Sequence, residues 1–315
     1  MVEPRCGRRP SLQLRKMIQT LYLGRVGYAE GLRLQEEIAA LVGAGRLKNT
    51  LLLLEHPPVL TLGRNASRVN VLASEELLSR RGITLHSINR GGDVTYHGPG
   101  QLVGYPIFDL RTLRNPNGPR MGPVDFVRGM EEALIRVCLT YGVRAGRVEG
   151  LTGVWCRETG FRVQGSGFRV QGSEDEGPGT DRATGPERKI AAIGIHVARG
   201  ITSHGFAFNL MTDLRDFGLI IPCGIPDHPV TSLEVERASA GLPSAEMPTL
   251  EAAAYEAARQ FGQVFDEQVL AVESLDSLRS LAGPAAVEFP AEDTPLQIPE
   301  EVTRLMGIPD RPRRA

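Results

Sequence analysis

The stretch KIAAIGIHVARGITSHGFAFNL, residues 189–210, predicts two strands of a sheet, at 189–197 and 201–210. On either side of it, apolar runs and breaker residues predict further strands at 17–26, 49–55, 59–62, 83–88 and 102–108. Apolar residues at near-helical spacing predict helices at 27–42, 124–141 and 249–269, and Ser74 begins a shorter one. Strands and helices interleave without the regular alternation of a doubly wound sheet. The predicted fold class is therefore α+β, a mixed sheet with helices packed on it.

The predicted domain spans 17–273, between two segments of different composition. Residues 1–16 predict a basic N-terminal extension; their composition also fits a transit peptide, but the segment is short and poorly amphipathic. Within 160–188 the heptapeptide GFRVQGS occurs twice in tandem, which predicts a disordered insertion or the tip of a solvated hairpin. Residues 274–315 are rich in proline and predict a flexible C-terminal tail.

The composition argues against several classes of function. Lys and Arg total 36 against 37 Asp and Glu, so no global basic surface predicts binding to nucleic acid. The longest apolar runs are far shorter than the roughly 20 residues that a membrane span needs, so no membrane association is expected. The four cysteines form no CxxC pair, which argues against a disulfide framework or a zinc site. A reducing compartment, the cytoplasm, is the expected location.

Residues 90–101, RGGDVTYHGPGQ, are too rich in glycine and polar side chains to predict a packing element. Their glycines let the backbone turn tightly and approach a ligand closely. Arg90, Thr95, Tyr96 and His97 supply hydrogen-bonding groups. The segment predicts a ligand-binding loop; the alternative is an elaborate turn in which His97 is a structural donor. The chain contains neither a P-loop nor a GxGxxG motif, so this loop does not predict a nucleotide site.

Cys223 lies in IIPCGIPDH, residues 220–228, directly after a proline that ends an apolar run. A cysteine on such a turn is a candidate nucleophile, although a lone loop cysteine is more often inert. Its ordinary pKa of about 8.5 means that a neighbouring cation or base must help it to react as thiolate at neutral pH. Local sequence does not choose among the candidate partners, which are Lys189, His97, His196, His204 and His228. The simpler interpretation of Lys189 is a lysine whose stem packs at the edge of an apolar run.

Several segments follow one another along the chain: EHPPVLTLGR at 55–64, RGGDVTYHGPGQLVGYPI at 90–107, KIAAIGIHVARGITSHGFAFNL at 189–210, PCGI at 222–225 and VTSL at 230–233. Together, in this order, they resemble the motifs of the lipoyl (octanoyl) transferase family. The resemblance covers roughly residues 21–265 and implies the fold of the biotin and lipoate protein ligases. The chain departs from the family pattern in the insertion before Lys189 and in the tail.

The resemblance also implies a set of functional residues and partners. Cys223 would be the acyl-thioester nucleophile, and Lys189 would lower its pKa or take its proton. The implied acyl and pantetheine site consists of Arg90, Gly91, Gly92, Asp93, Val94, Thr95, Tyr96, His97, Ala192, Ile193, Gly194, Gly205, Phe206 and Ala207. The donor would be octanoyl-acyl carrier protein. The acceptors would be lipoyl domains of 2-oxoacid dehydrogenase E2 subunits and the glycine cleavage H protein.

Transfer between thioesters and then to an amine is downhill without ATP, so no cofactor and no metal are expected. The alternatives are an ATP-dependent lipoate or biotin ligase of the same fold and a non-catalytic acyl-carrier-binding module. A cysteine hydrolase, with water as the acceptor, is the third.

Overall fold

The computed structural model describes residues 16–115, 118, 120–157, 185–222 and 228–283. Within these residues, eight strands form the main sheet: β1 Met17–Arg25, β2 Asn49–Glu55, β6 Gln101–Ile107, β7 Ala145–Val148, β8 Leu151–Cys156, β9 Arg188–Ala198, β10 Ile201–Asn209 and β11 Gln268–Ala271. Their order across the sheet is β11-β1-β2-β6-β10-β9-β8-β7. The β11, β1 and β2 strands run parallel, and every other neighbouring pair is antiparallel. The sheet is mixed, as the sequence predicted.

A smaller sheet of three described strands contains β3 Val59–Leu62, β4 Thr84–Ser87 and β5 Val94–His97, in the order β4-β3-β5. The prediction that residues 90–101 contain no packing element is wrong at β5. Val94 and Tyr96 on this strand are buried in a small core with Leu60 and Phe217. Only two apolar residues alternate here between glycines, which is too short a pattern to indicate a strand from sequence.

Six α-helices are described: α1 Tyr28–Gly43, α2 Glu75–Arg80, α3 Pro123–Thr140, α4 Leu233–Ser239, α5 Leu250–Phe265 and α6 Leu275–Leu281. Four of them begin at a serine or threonine whose hydroxyl accepts a bond from a first-turn amide: Ser74, Ser232, Thr249 and Ser274. Such caps satisfy an amide that the helix itself leaves unpaired, so these starts are local properties of the sequence.

Helices α3 and α5 cover one face of the main sheet. Leu51 and Leu53 on β2 point into this core, where they join Phe126 of α3 and Phe261 of α5. The two helices approach closely because Gly129 on α3 leaves room for the ring of Phe265; a Cβ at Gly129 would lie 2.7 Å from that ring. The apolar residues whose spacing predicted both helices therefore face the sheet.

The other face of the sheet is covered by α1 and borders the functional site. Successive side chains of a strand point to opposite faces, so Leu52 and Leu54 lie opposite the core of α3 and α5. Tyr105, the partner of Leu52 across β6, packs against Gly31 of α1 and bonds to His56. Both faces are thus buried, which explains why β2 is buried along its whole length and contains four consecutive leucines, at 51–54.

The packed chain continues beyond the predicted domain boundary at 273. Helix α6 lies in the segment that was predicted to be a tail, and its Leu278 is fully buried. Arg279 on α6 pairs with Glu37 of α1 at 2.6 Å. A helix of seven residues with one buried leucine is too short to show a helical spacing of apolar residues in the sequence. The basic extension up to residue 15, the tandem repeat and residues 284–315 lie outside the described residues.

Candidate active site

A cavity of about 210 Å³ lies between the glycine-rich loop, β5 and the paired strands β6, β9 and β10. Its walls contain most of the residues that the sequence indicated, namely Arg90, Gly92, Asp93, Thr95, His97, Lys189, Ala192, Ile193, Gly194, Gly205, Phe206 and Ala207. Antiparallel pairing sets Ala192 opposite Ala207 and Gly194 opposite Gly205. A Cβ at Gly194 would clash with the backbone of Gly91, and one at Gly205 with the backbone of Gly104, so these glycines allow a close approach of the backbone at the wall.

Three of the indicated residues do not line this cavity. Val94 and Tyr96 alternate with Thr95 and His97 along β5, so they point to the small core on the other side. Tyr96 donates a hydrogen bond from its hydroxyl to Asp216 at 2.8 Å. Gly91 contributes its backbone, donating from N–H to the carbonyl of Ile195 at 3.0 Å. These residues hold the loop and strand on which the cavity wall is built.

Six further residues line the cavity outside the set that the resemblance implied, and of these only His204 was named from the sequence, as a candidate partner of Cys223: Val103, Tyr105, Gly150, Leu151, Thr152 and His204. Val103 and Tyr105 belong to a quoted motif but were interpreted as ordinary strand residues. Gly150 lies in the turn between β7 and β8, Leu151 and Thr152 begin β8, and none of the three belongs to a motif. They reach the site because β8 pairs with β9.

The glycine-rich loop is held mainly by Arg90 and Asp93. The Arg90 guanidinium donates to the carbonyl of Asp93 at 2.7 Å and to the carbonyl of Thr61 at 3.0 Å. The Asp93 carboxylate accepts from the amides of Ser67 and Val94. The hydrogen bonds of both charged side chains therefore hold the loop in its shape. Gly92 has φ +89°, a left-handed conformation that a residue with a Cβ adopts only with strain.

Lys189 lies on β9 at the cavity wall and is only 7% exposed. Its Nζ is 4.5 Å from the centroid of the Trp155 ring. No carboxylate among the described residues forms an ion pair with it. A cation above an indole face is stabilised without being neutralised, so its charge stays available to an anion in the cavity.

The chain on both sides of residues 223–227 lies near Lys189. Pro222 and Lys189 line the same small space between β9, β10 and β5. His228 packs edge-on against Trp155, with ring centroids 5.3 Å apart. The Lys189 N–H donates to the carbonyl of Pro229 at 2.8 Å. Cys223 itself lies outside the described residues.

The histidines of the cavity are neutral at physiological pH. Burial, together with the neighbouring His56, lowers the pKa of His97 to about 3. Burial, together with Arg90, lowers the pKa of His204 to about 4. Burial likewise lowers the pKa of His56, behind the wall, to about 4. Each ring is therefore a hydrogen-bonding group without charge near neutral pH.

The five candidate partners of Cys223 thus occupy different places. Lys189, His97 and His204 line the cavity, and His228 lies beside Trp155. His196 is on β9 but outside the cavity lining. Of the five, Lys189 is the one that brings a positive charge to the wall.

Two of the other cysteines are unsuited to nucleophilic chemistry. Cys138 and Cys156 are free and buried. Burial raises the pKa of the Cys156 thiol to about 12, and it raises the pKa of Cys138 well above its ordinary value. Cys138 belongs to the core that α3 forms against the sheet.

Residues 27–247 match the family model of the lipoyl protein ligase A/B catalytic domain. The chain is 53% identical to an octanoyltransferase of Acidobacterium capsulatum over 82% of its own length and 94% of that protein. It is 45% identical to an octanoyltransferase of Koribacter versatilis over 92% of its own length and 97% of that protein. The chain therefore belongs to the octanoyltransferase family and is an acyltransferase.

Solved structures agree with this fold. Lipoate-protein ligase A bound with ATP superposes with a TM-score of 0.53 at 14% identity, covering 84% of this chain and 92% of that one. A bipartite lipoate protein ligase from Thermoplasma acidophilum gives a TM-score of 0.52 at 16% identity, covering 84% and 89%. The predicted biotin/lipoate ligase fold is thus confirmed.

In the described part of the chain, the helices are too short or too polar to cross a bilayer.

Proposed function

We propose that this octanoyltransferase carries octanoyl from octanoyl-acyl carrier protein, through a thioester on Cys223, to a lysine amine of a lipoyl domain. The observation that carries the proposal is the position of Lys189. Its Nζ lies on the wall of the cavity, above the Trp155 ring, and Pro222, the residue before Cys223, shares a small space with it. A cation in that position would favour the thiolate form of the neighbouring cysteine.

In the first step the Cys223 thiolate would attack the octanoyl carbonyl. A carbon–sulfur bond forms to Cys223, the bond to the carrier's sulfur breaks, and that sulfur leaves as a thiolate which takes up a proton. Both species are thioesters, so the exchange is nearly isoenergetic. The enzyme therefore needs to supply a thiolate, to align it with the octanoyl carbonyl and to stabilise the developing oxyanion.

In the second step the neutral amine of the acceptor lysine would attack the Cys223 thioester. A carbon–nitrogen bond forms, the bond to Cys223 breaks, and one proton leaves the nitrogen. Lys189 is the proposed proton carrier: it would give its ammonium proton to the carrier's thiolate in the first step and then, as a neutral amine, take the proton of the attacking nitrogen. The product is an amide, more stable than the thioester, so the reaction proceeds without ATP.

The octanoyl chain would occupy the space beside Ala192, Ala207 and Gly205, against Val103. Thr95 and His97 would supply the polar contacts. In this assignment Val94, Tyr96 and Gly91 support the wall and do not touch the acyl group. The glycine-rich loop would form the mouth, shaped by Arg90, Gly92 and Asp93.

The proposed acceptors are the lipoyl domains of 2-oxoacid dehydrogenase E2 subunits and the glycine cleavage H protein. The T. acidophilum ligase belongs to a lipoylation system together with its E2 lipoyl domain, which supports an acceptor of this kind. These partners and the reactive thiol are consistent with a cytoplasmic location.

Intact-mass analysis after incubation with octanoyl-acyl carrier protein, in the absence of ATP, tests the proposal. We expect one octanoyl adduct, located on the peptide that contains Cys223, and its chase to a lipoyl-domain lysine. Cys223→Ser should form no adduct, whereas Cys6→Ser should behave as the parent. Transfer that requires ATP would favour the ligase reaction instead, and release of free octanoate without an amide product would favour a hydrolase.

A further inference from the structure

A line of hydrogen-bonded polar side chains connects the cavity to the segment beside Lys189. Gln101 Oε1 lies 2.7 Å from His97 Nδ1. Gln101 Nε2 donates to Asn209 Oδ1 at 2.9 Å, and Asn209 Nδ2 donates to the carbonyl of Thr231 at 2.9 Å. The Thr231 N–H in turn donates to the carbonyl of Lys189 at 2.9 Å. All five residues are buried, so water does not replace these bonds.

The direction of this line is determined by backbone carbonyls, which only accept. Because Asn209 bonds the carbonyl of Thr231, its amide nitrogen points there and its oxygen points to Gln101. Gln101 Nε2 donates both to that oxygen and to the carbonyl of Tyr96 at 3.2 Å. Gln101 therefore presents its oxygen to His97, and His97 Nδ1 must carry the proton.

A neutral ring with its proton on Nδ1 has a lone pair on Nε2. His97 borders the cavity, and among the described residues its Nε2 has no hydrogen-bond partner. The groups around the ring are His56 after β2, Arg90 of the loop, His204 of β10 and Tyr28 of α1, whose ring stacks 6.1 Å away. Lys189 and Tyr105 border the same cavity. Burial, the neighbouring His56 and the Arg90 guanidinium oppose a second proton on the ring.

We propose that His97 Nε2 is a fixed acceptor for an N–H group of the substrate, and that Gln101 and Asn209 are positioning residues that hold His97 in this tautomer. The proposal rests on the proposed function, which supplies two N–H sources. One is an amide of the pantetheine arm that carries the octanoyl group. The other is the amine of the acceptor lysine.

The acceptor role differs from general base catalysis. Burial and His56 hold the pKa of His97 at about 3, so the ring is a poor proton acceptor at neutral pH but remains a good hydrogen-bond acceptor. A glutamine at position 97 can place an amide oxygen near the site of Nε2 without ever taking a proton. Substitution therefore separates the two roles.

The first test is the tautomer itself, in the unmodified enzyme. Nitrogen-15 NMR of histidine-labelled protein at pH 7 distinguishes a protonated ring nitrogen from a bare one. We expect the His97 signals to show a proton on Nδ1 and none on Nε2. A proton on Nε2 would overturn the proposal without affecting the thioester mechanism at Cys223.

The second test measures the two half-reactions of position-97 variants. His97→Leu should slow one of them about tenfold, the value of one buried hydrogen bond, and His97→Gln should stay within about threefold of the parent. If acylation slows with octanoyl-acyl carrier protein but not with a short octanoyl thioester lacking amides, the arm supplies the N–H. If only transfer to the lipoyl domain slows, the amine supplies it. Parental rates in both steps for His97→Leu would refute the acceptor role.

The third test addresses Gln101 through the pH profile. In Gln101→Glu a carboxylate faces Nδ1 and raises the pKa of His97, so the ring becomes cationic on the acid side and Nε2 becomes a donor. We expect a new acidic limb, with activity that falls as pH is lowered and recovers as pH is raised. The parent should lack this limb above about pH 5, two units above the pKa of His97.

Gln260→Leu is the matched control, because Gln260 is an equally buried glutamine on α5, on the opposite face of the sheet. It should keep the parental pH profile whatever it does to stability. A Gln101→Glu enzyme that is folded and keeps the parental profile would show that Gln101 has a packing role only.

Discussion

The two faces of the main sheet are built from the same strands but with different chemistry. Toward α3 and α5, Leu102 of β6 enters a core of aromatic rings that contact one another, such as Phe126 and Phe265 at 5.2 Å. Toward the cavity, the next residues along β6 are Val103 and Tyr105, and the hydroxyl of Tyr105 bonds to a buried histidine. One face supplies stability through apolar burial, and the other carries buried polar groups that are linked by hydrogen bonds.

Substitution of Lys189 should have the largest effect, and this effect should fall mainly on the rate of octanoyl transfer. Lys189→Met removes both charge and basicity, so transfer should fall at least about a hundredfold, while the loss of the contact with Trp155 should cost only about 1–2 kcal/mol of stability. Single-turnover transfer and urea unfolding measure the two quantities.

Lys189→Arg separates the two roles of this charge. It should keep rapid alkylation of Cys223 near neutral pH, because arginine retains the charge, yet fail to pass octanoyl to the lipoyl domain, because arginine does not give up its proton. Near-parental alkylation and transfer in Lys189→Met would show that this lysine has no catalytic role and only packs at the edge of the strand.

Phe261→Ala tests the opposite face. Phe261 is fully buried among aromatic neighbours, so its removal should lower the free energy of unfolding by about 3–5 kcal/mol. The rate of octanoyl transfer per folded molecule at low temperature should stay within about twofold of the parent, because the sheet separates this ring from the histidines and Lys189. A loss of transfer comparable to that of Lys189→Met would show that the two faces are not independent.

Acid should destabilise the cavity face. The folded pKa values of His56 and His204, both about 4, lie below the ordinary value of about 6.5, so the unfolded chain binds more protons between these values. The contribution of these two neutral histidines to the free energy of unfolding is full above about pH 6.5 and is lost as the pH falls toward about 4. Melting temperatures across this interval should decline, and the decline should be shallower in His204→Asn. An equal slope in parent and variant would contradict this assignment.

Arg279→Ala should have the smallest effect. The Arg279–Glu37 pair joins α6 to α1 at the surface, where Arg279 is 44% exposed, so its loss should cost less than about 1 kcal/mol. Leu278→Ala in the same helix should cost about 2–5 kcal/mol, because that leucine is fully buried. Similar melting temperatures for both variants would show that α6 is not part of the folded domain.

Sequence alone determined the fold class, the apolar helices α3 and α5 and, through the resemblance to a known family, most of the cavity lining. These features depend on local patterns: the spacing of Phe126, Met130 and Leu134 along a helix, and a glycine-rich motif of fixed order. The helix starts at Ser74 and Thr249 are local as well, because a capping hydroxyl reaches only its own first turn.

Only the tertiary structure decided which of these residues meet. The contact of Lys189 with Trp155 depends on the pairing of β8 with β9 across the intervening segment, and the tautomer of His97 depends on Asn209, more than a hundred residues away. Whether Tyr96 or His97 faces the cavity depends on the register of β5 on β3. Such contacts are set by the packing of distant strands, so no local pattern in the sequence records them.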